Sequence, residues 1–255
     1  PVVSLQAEGN EGGTLVISSA GDPTSFNPDY KSDDNLWPMA QNIYNRLIKL
    51  TAEDSLIPDL AESYEFSDDG LTLTFHLHEG VKWHDGEDFT ADDVVWTYTT
   101  MMEESWFKAD ALQGVESIEA PDDLTVVFNL EYPNVAIISK LGWYGTFILP
   151  KHLYEGTDLA TNPANQNPVG TGPFKFESYE SGVAVTLVRN DDFFGPKAKL
   201  DKLIFSIIPD QNTAYQAFLN GEVDYLGTGV PIANQDDLDD DENYRVTEEL
   251  WQNRT

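Results

Sequence analysis

The chain has no cysteine in 255 residues. That excludes a disulfide frame, a thiolate zinc site and a cysteine nucleophile. Basic residues are scarce, 14 against 45 acidic ones, and the charge of −31 repels phosphate backbones and anionic headgroups. Nucleic acid and membrane surfaces are therefore poor partners. No run of about 18 apolar residues occurs, so no helical bilayer span is expected. The chain opens at Pro1 with no basic-then-apolar leader, and the expectation is that any signal segment has been removed. Catalytic signatures are also missing. There is no GxSxG, no GxxxxGKS, no HExxH, and no GxGxxG after a strand.

The composition that remains is that of a folded protein. At 40% hydrophobic and 12% aromatic residues the chain is not disordered as a whole, and its length suits two domains. Residues 1–12 read as a polar lead-in, and Gly13 to Ser19 alternates into a first strand. DPTSFNPDYKSDDNLW is an irregular loop, dense in Pro, Asn, Asp and Ser. A helix is expected from about Leu36 to Ile48, with Met39, Ala40, Ile43, Tyr44 and Leu47 as its apolar stripe.

The middle third reads as hairpins. LTLTFHLH alternates apolar Leu71, Leu73, Phe75 and Leu77 with polar partners, and Asp68-Asp69-Gly70 turns it back onto YEFS. VESIEA and LTVVFNL form a second pair. Between them Thr90-Ala91-Asp92-Asp93 opens a helix carrying Val94, Val95, Tyr98 and Met101. In the last third AVTLVRN and KLDKLIFSII are strands, Asp210 caps a helix that stops at Gly221, and VDYLG is a further strand. Asp236 to Glu242, with six acids in seven positions, reads as a solvated loop.

His76, His78, His84 and Asp85 are the one histidine concentration. His76 and His78 share a strand face, but no third ligand lies at fixed spacing, so exposed strand histidines are the favoured reading over a metal site. Trp37, Trp106, Trp143 and Tyr144 lie in segments without periodicity, where an aromatic is either a core plug or a cleft wall.

The segment PDLAESYEFSDDGLTLTFHLHEGVKWHDGEDFTADDVVWTY (Pro58 to Tyr98) resembles the signature of the bacterial extracellular solute-binding proteins of family 5. These are the oligopeptide-, dipeptide- and nickel-type receptors of ABC importers. SFNPDY with IYNRLIKL, NPVGTGPFKFESY with VTLVRNDDFFG, and LDKLIFSIIPDQNTAYQAFLNGEVD continue the resemblance in order, over about residues 13–227. His78 departs from it, since the family usually has Arg there. Members also run to about twice this length, which implies that the chain is an N-terminal half.

The resemblance implies an α/β fold of the periplasmic-binding-protein-like type II, first lobe: a discontinuous α/β domain (1–48 and 168–255) with an inserted α+β domain (49–167). It implies a peptide or other small solute held in a cleft between two lobes, and ABC permease membrane subunits as partners. It also implies a monomer outside the cytoplasmic membrane (periplasmic, or lipid-anchored if Gram-positive), with no cofactor, no metal and no catalytic residue. Its cleft positions fall here on Leu36, Trp37, Trp106, Trp143 and Tyr144, and the wall carrying the three tryptophans should lie open to solvent. A nickel chelate or an oligosaccharide in the same cleft is the alternative ligand, and a carboxylate-based hydrolase is the alternative class. Gly170, Gly172 and Pro173 are expected to shape the return between domains rather than to touch ligand.

Overall fold

The computed structural model describes residues 11–30, 32–51, 55–142 and 146–234. The expected lead-in and the acidic run from Asp236 lie outside them, apart from Glu11 and Gly12.

Two four-stranded sheets carry the architecture. The first joins an early strand to three late ones: β1 (Thr14–Ser19) runs parallel to β10 (Lys202–Ile207), which pairs antiparallel with β9 (Ala184–Arg189) and then β8 (Phe174–Glu180). Its inner face follows from period-two alternation. Val185 lies opposite Phe205 and Leu187 opposite Leu203, and all four are buried. The second sheet is antiparallel, in the order β4 (Ala61–Phe66), β5 (Thr72–Leu77), β7 (Thr125–Leu130), β6 (Val115–Asp122). Here Leu73 opposes Phe128 and Phe75 opposes Val126, again buried. Each such side chain contributes roughly 1.5–3 kcal/mol on leaving water.

Helix α2 (Ala91–Glu103) packs on the second sheet and places Tyr98 5.8 Å from Phe128, centre to centre. Its start is a capping box of Thr90 and Asp93. The Asp93 carboxylate also accepts from the Lys151 backbone N–H at 3.0 Å, which ties in α4 (Lys151–Tyr154). Helix α1 (Trp37–Ile43) packs on β8, α3 (Ile137–Gly142) packs on a short ribbon of β2 (Ile48–Leu50) and β3 (Leu56–Pro58), and α5 (Gln211–Leu219) follows β10. One continuous core cluster runs from Leu73 and Phe75 through Met39 and Ile43 to Leu187 and Phe205.

Three local expectations need correction. The helix expected to reach Ile48 stops at Ile43, and Tyr44 is extended. A distant segment takes the carbonyl that the next turn would use: Gly172 N–H bonds to Ile43 O at 2.8 Å. A Cβ on Gly170 would sit 1.9 Å from that same oxygen. Asn45 and Arg46 are claimed instead by the Asp59 carboxylate. The VDYLG segment is not a strand but makes one bridge, Tyr225 to Ile17. Finally, β8, the β2–β3 ribbon, α3 and α4 were not among the sequence expectations.

Candidate functional site

The loop before α1 folds on its own side chains. Asn27 Oδ1 accepts from the backbone N–H groups of Asp29 and Tyr30, both at 3.2 Å. Asp33 Oδ2 accepts from Thr24 N–H at 2.6 Å, and Oδ1 from Asn35 and Leu36 N–H at 3.0 and 3.2 Å. Short polar side chains compete for backbone donors in this way, which is why the stretch shows no periodicity. The loop hands the chain to α1 with Trp37 as first residue and Pro38 beside it.

Trp37 is partly exposed, and its ring lies 5.4 Å from that of Phe147. The Arg46 guanidinium sits behind both, 5.2 Å from the Trp37 ring centre and 4.2 Å from that of Phe147. Phe147 belongs to a buried segment without regular secondary structure, residues 146–149, whose backbone is satisfied largely by side chains. Phe147 N–H donates to Asp29 Oδ1 at 3.3 Å and Leu149 N–H to Thr97 Oγ1 at 3.1 Å. Pro28, Ser32, Asp33, Leu36, Trp37 and Phe107 border a shallow notch beside the indole.

The other expected wall residues are placed differently. Leu36 and Trp106 are 2% and 3% exposed, so both are enclosed within the chain. The expectation of an open wall carrying Trp106 is therefore corrected. The cause is the end of α2, where Ser105 adopts a left-handed φ of 51°. Trp106 N–H then bonds back to Met101 O at 3.1 Å, which turns the indole inward onto Tyr30 and leaves Phe107 exposed. Trp143 and Tyr144 lie outside the described residues.

Electrostatically the site is a buried carboxyl and a buried guanidinium beneath an aromatic face. Asp29 is fully enclosed, and burial pushes its carboxyl up to about 8 against the pull of the Phe147 N–H, Arg46 and Lys108. Burial likewise holds Arg46 below its ordinary value. Arg46, Phe147 and Asp29 were not singled out from sequence, although an arginine inside the apolar run IYNRLIKL is a visible anomaly.

The histidines are dispersed over separate contacts. His76 and His78 face Glu65 and Glu62 of β4 at 3.8 and 3.2 Å. His152 Nε2 lies 2.8 Å from Asp85 Oδ2, and among the described residues no hydroxyl is bonded to that ring. Among the described residues no group of three or more His, Cys, Asp or Glu could hold a metal ion. No helix there is long and apolar enough to cross a membrane.

Residues 55–254 match the family model for bacterial extracellular solute-binding proteins, family 5 Middle. The oligopeptide-binding protein AppA of Bacillus subtilis is 32% identical over 246 residues, which cover 94% of this chain and 45% of that protein. Its structure in complex with a nonapeptide matches with a TM-score of 0.81 at 33% identity, over 89% of this chain and 46% of the other. DppA of Helicobacter pylori in complex with the peptide STSA gives 0.81 at 30% identity (92% and 50%). NikZ of Campylobacter jejuni in complex with Ni(L-His) gives 0.81 at 32% identity (90% and 46%). The chain thus spans about half the length of the relatives it matches.

Proposed function

The chain belongs to the family 5 bacterial extracellular solute-binding proteins, and on that premise we propose that it is the first lobe of an ABC importer's substrate-binding component and that its ligand is a peptide. The mixed α/β structure has the periplasmic-binding-protein-like fold of a partial lobe. The observation that carries the ligand class is the match of 89% of this chain to a protein seen holding a nonapeptide. The family consists of binding proteins of transporters rather than enzymes, and the sequence carries no GxSxG, GxxxxGKS or HExxH signature.

In this reading the ligand lies between this lobe and a second one, and contacts to both favour a closed state over an open one. Trp37 supplies apolar area without demanding a fixed hydrogen-bond partner, which suits ligands of varied side chains. Leu36 and Trp106 support that face from behind, and Trp143 and Tyr144 are the remaining ligand contacts of this reading. We also take residues 49–167 as the inserted α+β domain and 1–48 with 168–255 as the α/β domain. The pairing of β1 with β10 rather than β5 supports that division. The protein works as a monomer outside the cytoplasmic membrane and delivers its ligand to permease subunits.

The test is to purify the full-length protein under native conditions and to identify the bound ligand by mass spectrometry. Trp37→Ala should then weaken rebinding of that ligand about tenfold. The NikZ match favours one second reading, a nickel chelate. Titration with Ni(L-His) beside a peptide mixture separates the two.

A further inference from the structure

Four buried polar side-chain atoms among the described residues have no hydrogen-bond partner: Asn27 Nδ2, Asp29 Oδ2, Arg46 Nε and Trp106 Nε1. Orphaned buried groups are rare, because each keeps the cost of leaving water without recovering a bond. These four are also connected. Asn27 Oδ1 accepts from both Asp29 and Tyr30, and Tyr30 packs edge-on against Trp106. Asp29 Oδ1 takes the N–H of Phe147, the residue on whose ring Arg46 rests. Arg46 is 6% exposed, and its Nε has no hydrogen-bond partner, although the charges of Asp59 and Asp29 both act on it. Arg46 Nε and Asp29 Oδ2 are thus two enclosed polar atoms on groups that feel each other's charge, and each wants a hydrogen-bond partner.

We propose that ordered water bridges Arg46 Nε–H and Asp29 Oδ2, and that the bridged pair fixes the guanidinium as the back plate of Trp37. Four such atoms suit one or two waters, each making about three bonds. Asn27 Nδ2 and Trp106 Nε1 supply the remaining donors. The guanidinium is flat, lies over two rings, and so holds the Trp37 indole at a fixed tilt against Phe147. Arg46 and Asp29 are then positioning residues. Their use, though not their geometry, rests on the reading of Trp37 as a ligand contact.

A crystal structure of this chain should show water within hydrogen-bond distance of both Asp29 Oδ2 and Arg46 Nε. A dry interior, or Arg46 turned out to solvent, overturns the proposal. In solution, the Trp37 signal is isolated by subtracting the emission of Trp37→Phe from that of the parent. Acrylamide quenching of that signal should rise about twofold in Arg46→Met. Arg46→Lys keeps the charge but not the planar stack, so it should rise with Arg46→Met rather than stay with the parent. If either folded variant leaves Trp37 quenching unchanged, the back-plate role is wrong. Both measurements use the ligand-free chain, so they stand apart from the ligand reading, which fails instead if Trp37→Ala leaves affinity intact.

Discussion

His84 grips the return between the two sheets with both ring nitrogens: Nδ1 accepts from Gly170 N–H at 3.2 Å and Nε2–H donates to Gly172 O at 2.9 Å. Its own backbone N–H bonds to Gly170 O at 2.9 Å. That arrangement requires the neutral tautomer with hydrogen on Nε2, because a protonated ring cannot accept at Nδ1. Burial accordingly lowers its pKa from 6.5 to about 4. Between those values the unfolded chain binds a proton that the folded one excludes. This contribution to stability is therefore complete above pH 6.5 and is lost as pH falls towards 4, at up to about 1.4 kcal/mol per unit. Thermal unfolding of the parent and of His84→Gln across that range should show the steeper fall in the parent. Identical slopes would remove His84 from the account.

The same return explains a prediction for Gly170. Its α-carbon lies so near Ile43 O that an added Cβ would stand 1.9 Å away, against backbone that cannot swing aside. Gly170→Ala should destabilise by about 1–3 kcal/mol or more, as overpacking does. Urea unfolding monitored by circular dichroism reads it directly. A midpoint equal to the parent's would show that the two segments separate more easily than their hydrogen bond implies.

Ser105 offers the opposite sign. A serine in the left-handed region carries a steric cost of about 1–2 kcal/mol that glycine does not share. Glycine's larger unfolded-state entropy offsets about 0.5–1 kcal/mol of that relief. Ser105→Gly should therefore leave stability unchanged or raise it slightly, while Ser105→Val should lower it. A fall in the melting temperature of Ser105→Gly would mean that the serine hydroxyl has a role that its backbone angle does not reveal.

What the sequence made legible was local. The β4–β5 hairpin follows from alternation around Asp68-Asp69-Gly70, and the α2 start from Thr90 and Asp93, because periodicity and capping act within a few residues. The end of α1 was not legible, since Gly172, far along the chain, takes the Ile43 carbonyl. Trp106 faces inward because of the φ of Ser105, a non-glycine residue that gives no warning of a left-handed turn. Trp37 stood out as a non-periodic aromatic. The residues behind it did not, because Asp29, Arg46 and Phe147 come from three separate segments that only the fold brings together.

The last prediction concerns how much of the binding this lobe carries alone. A ligand clasped between two lobes gains contacts from both, and closure strengthens its polar bonds by excluding water. On the proposed reading this chain, which covers about half of each relative, is one of the two lobes and presents about half of those contacts without the enclosure. A Kd near about 1 μM corresponds to about −8 kcal/mol, and half of that leaves about −4 kcal/mol, or about 1 mM. Allowing for an uneven split, this 255-residue chain should fold but bind at least about a hundredfold more weakly than a form carrying both lobes. Calorimetric titration of the two forms with one peptide, the one recovered from the longer protein, measures the ratio. Trp37→Ala should lower affinity in the two-lobe form and add little further loss in the single lobe, where weak binding leaves little to remove. Equal affinities of the two forms would place recognition entirely in this lobe, and closure between lobes would then have no part in holding the ligand.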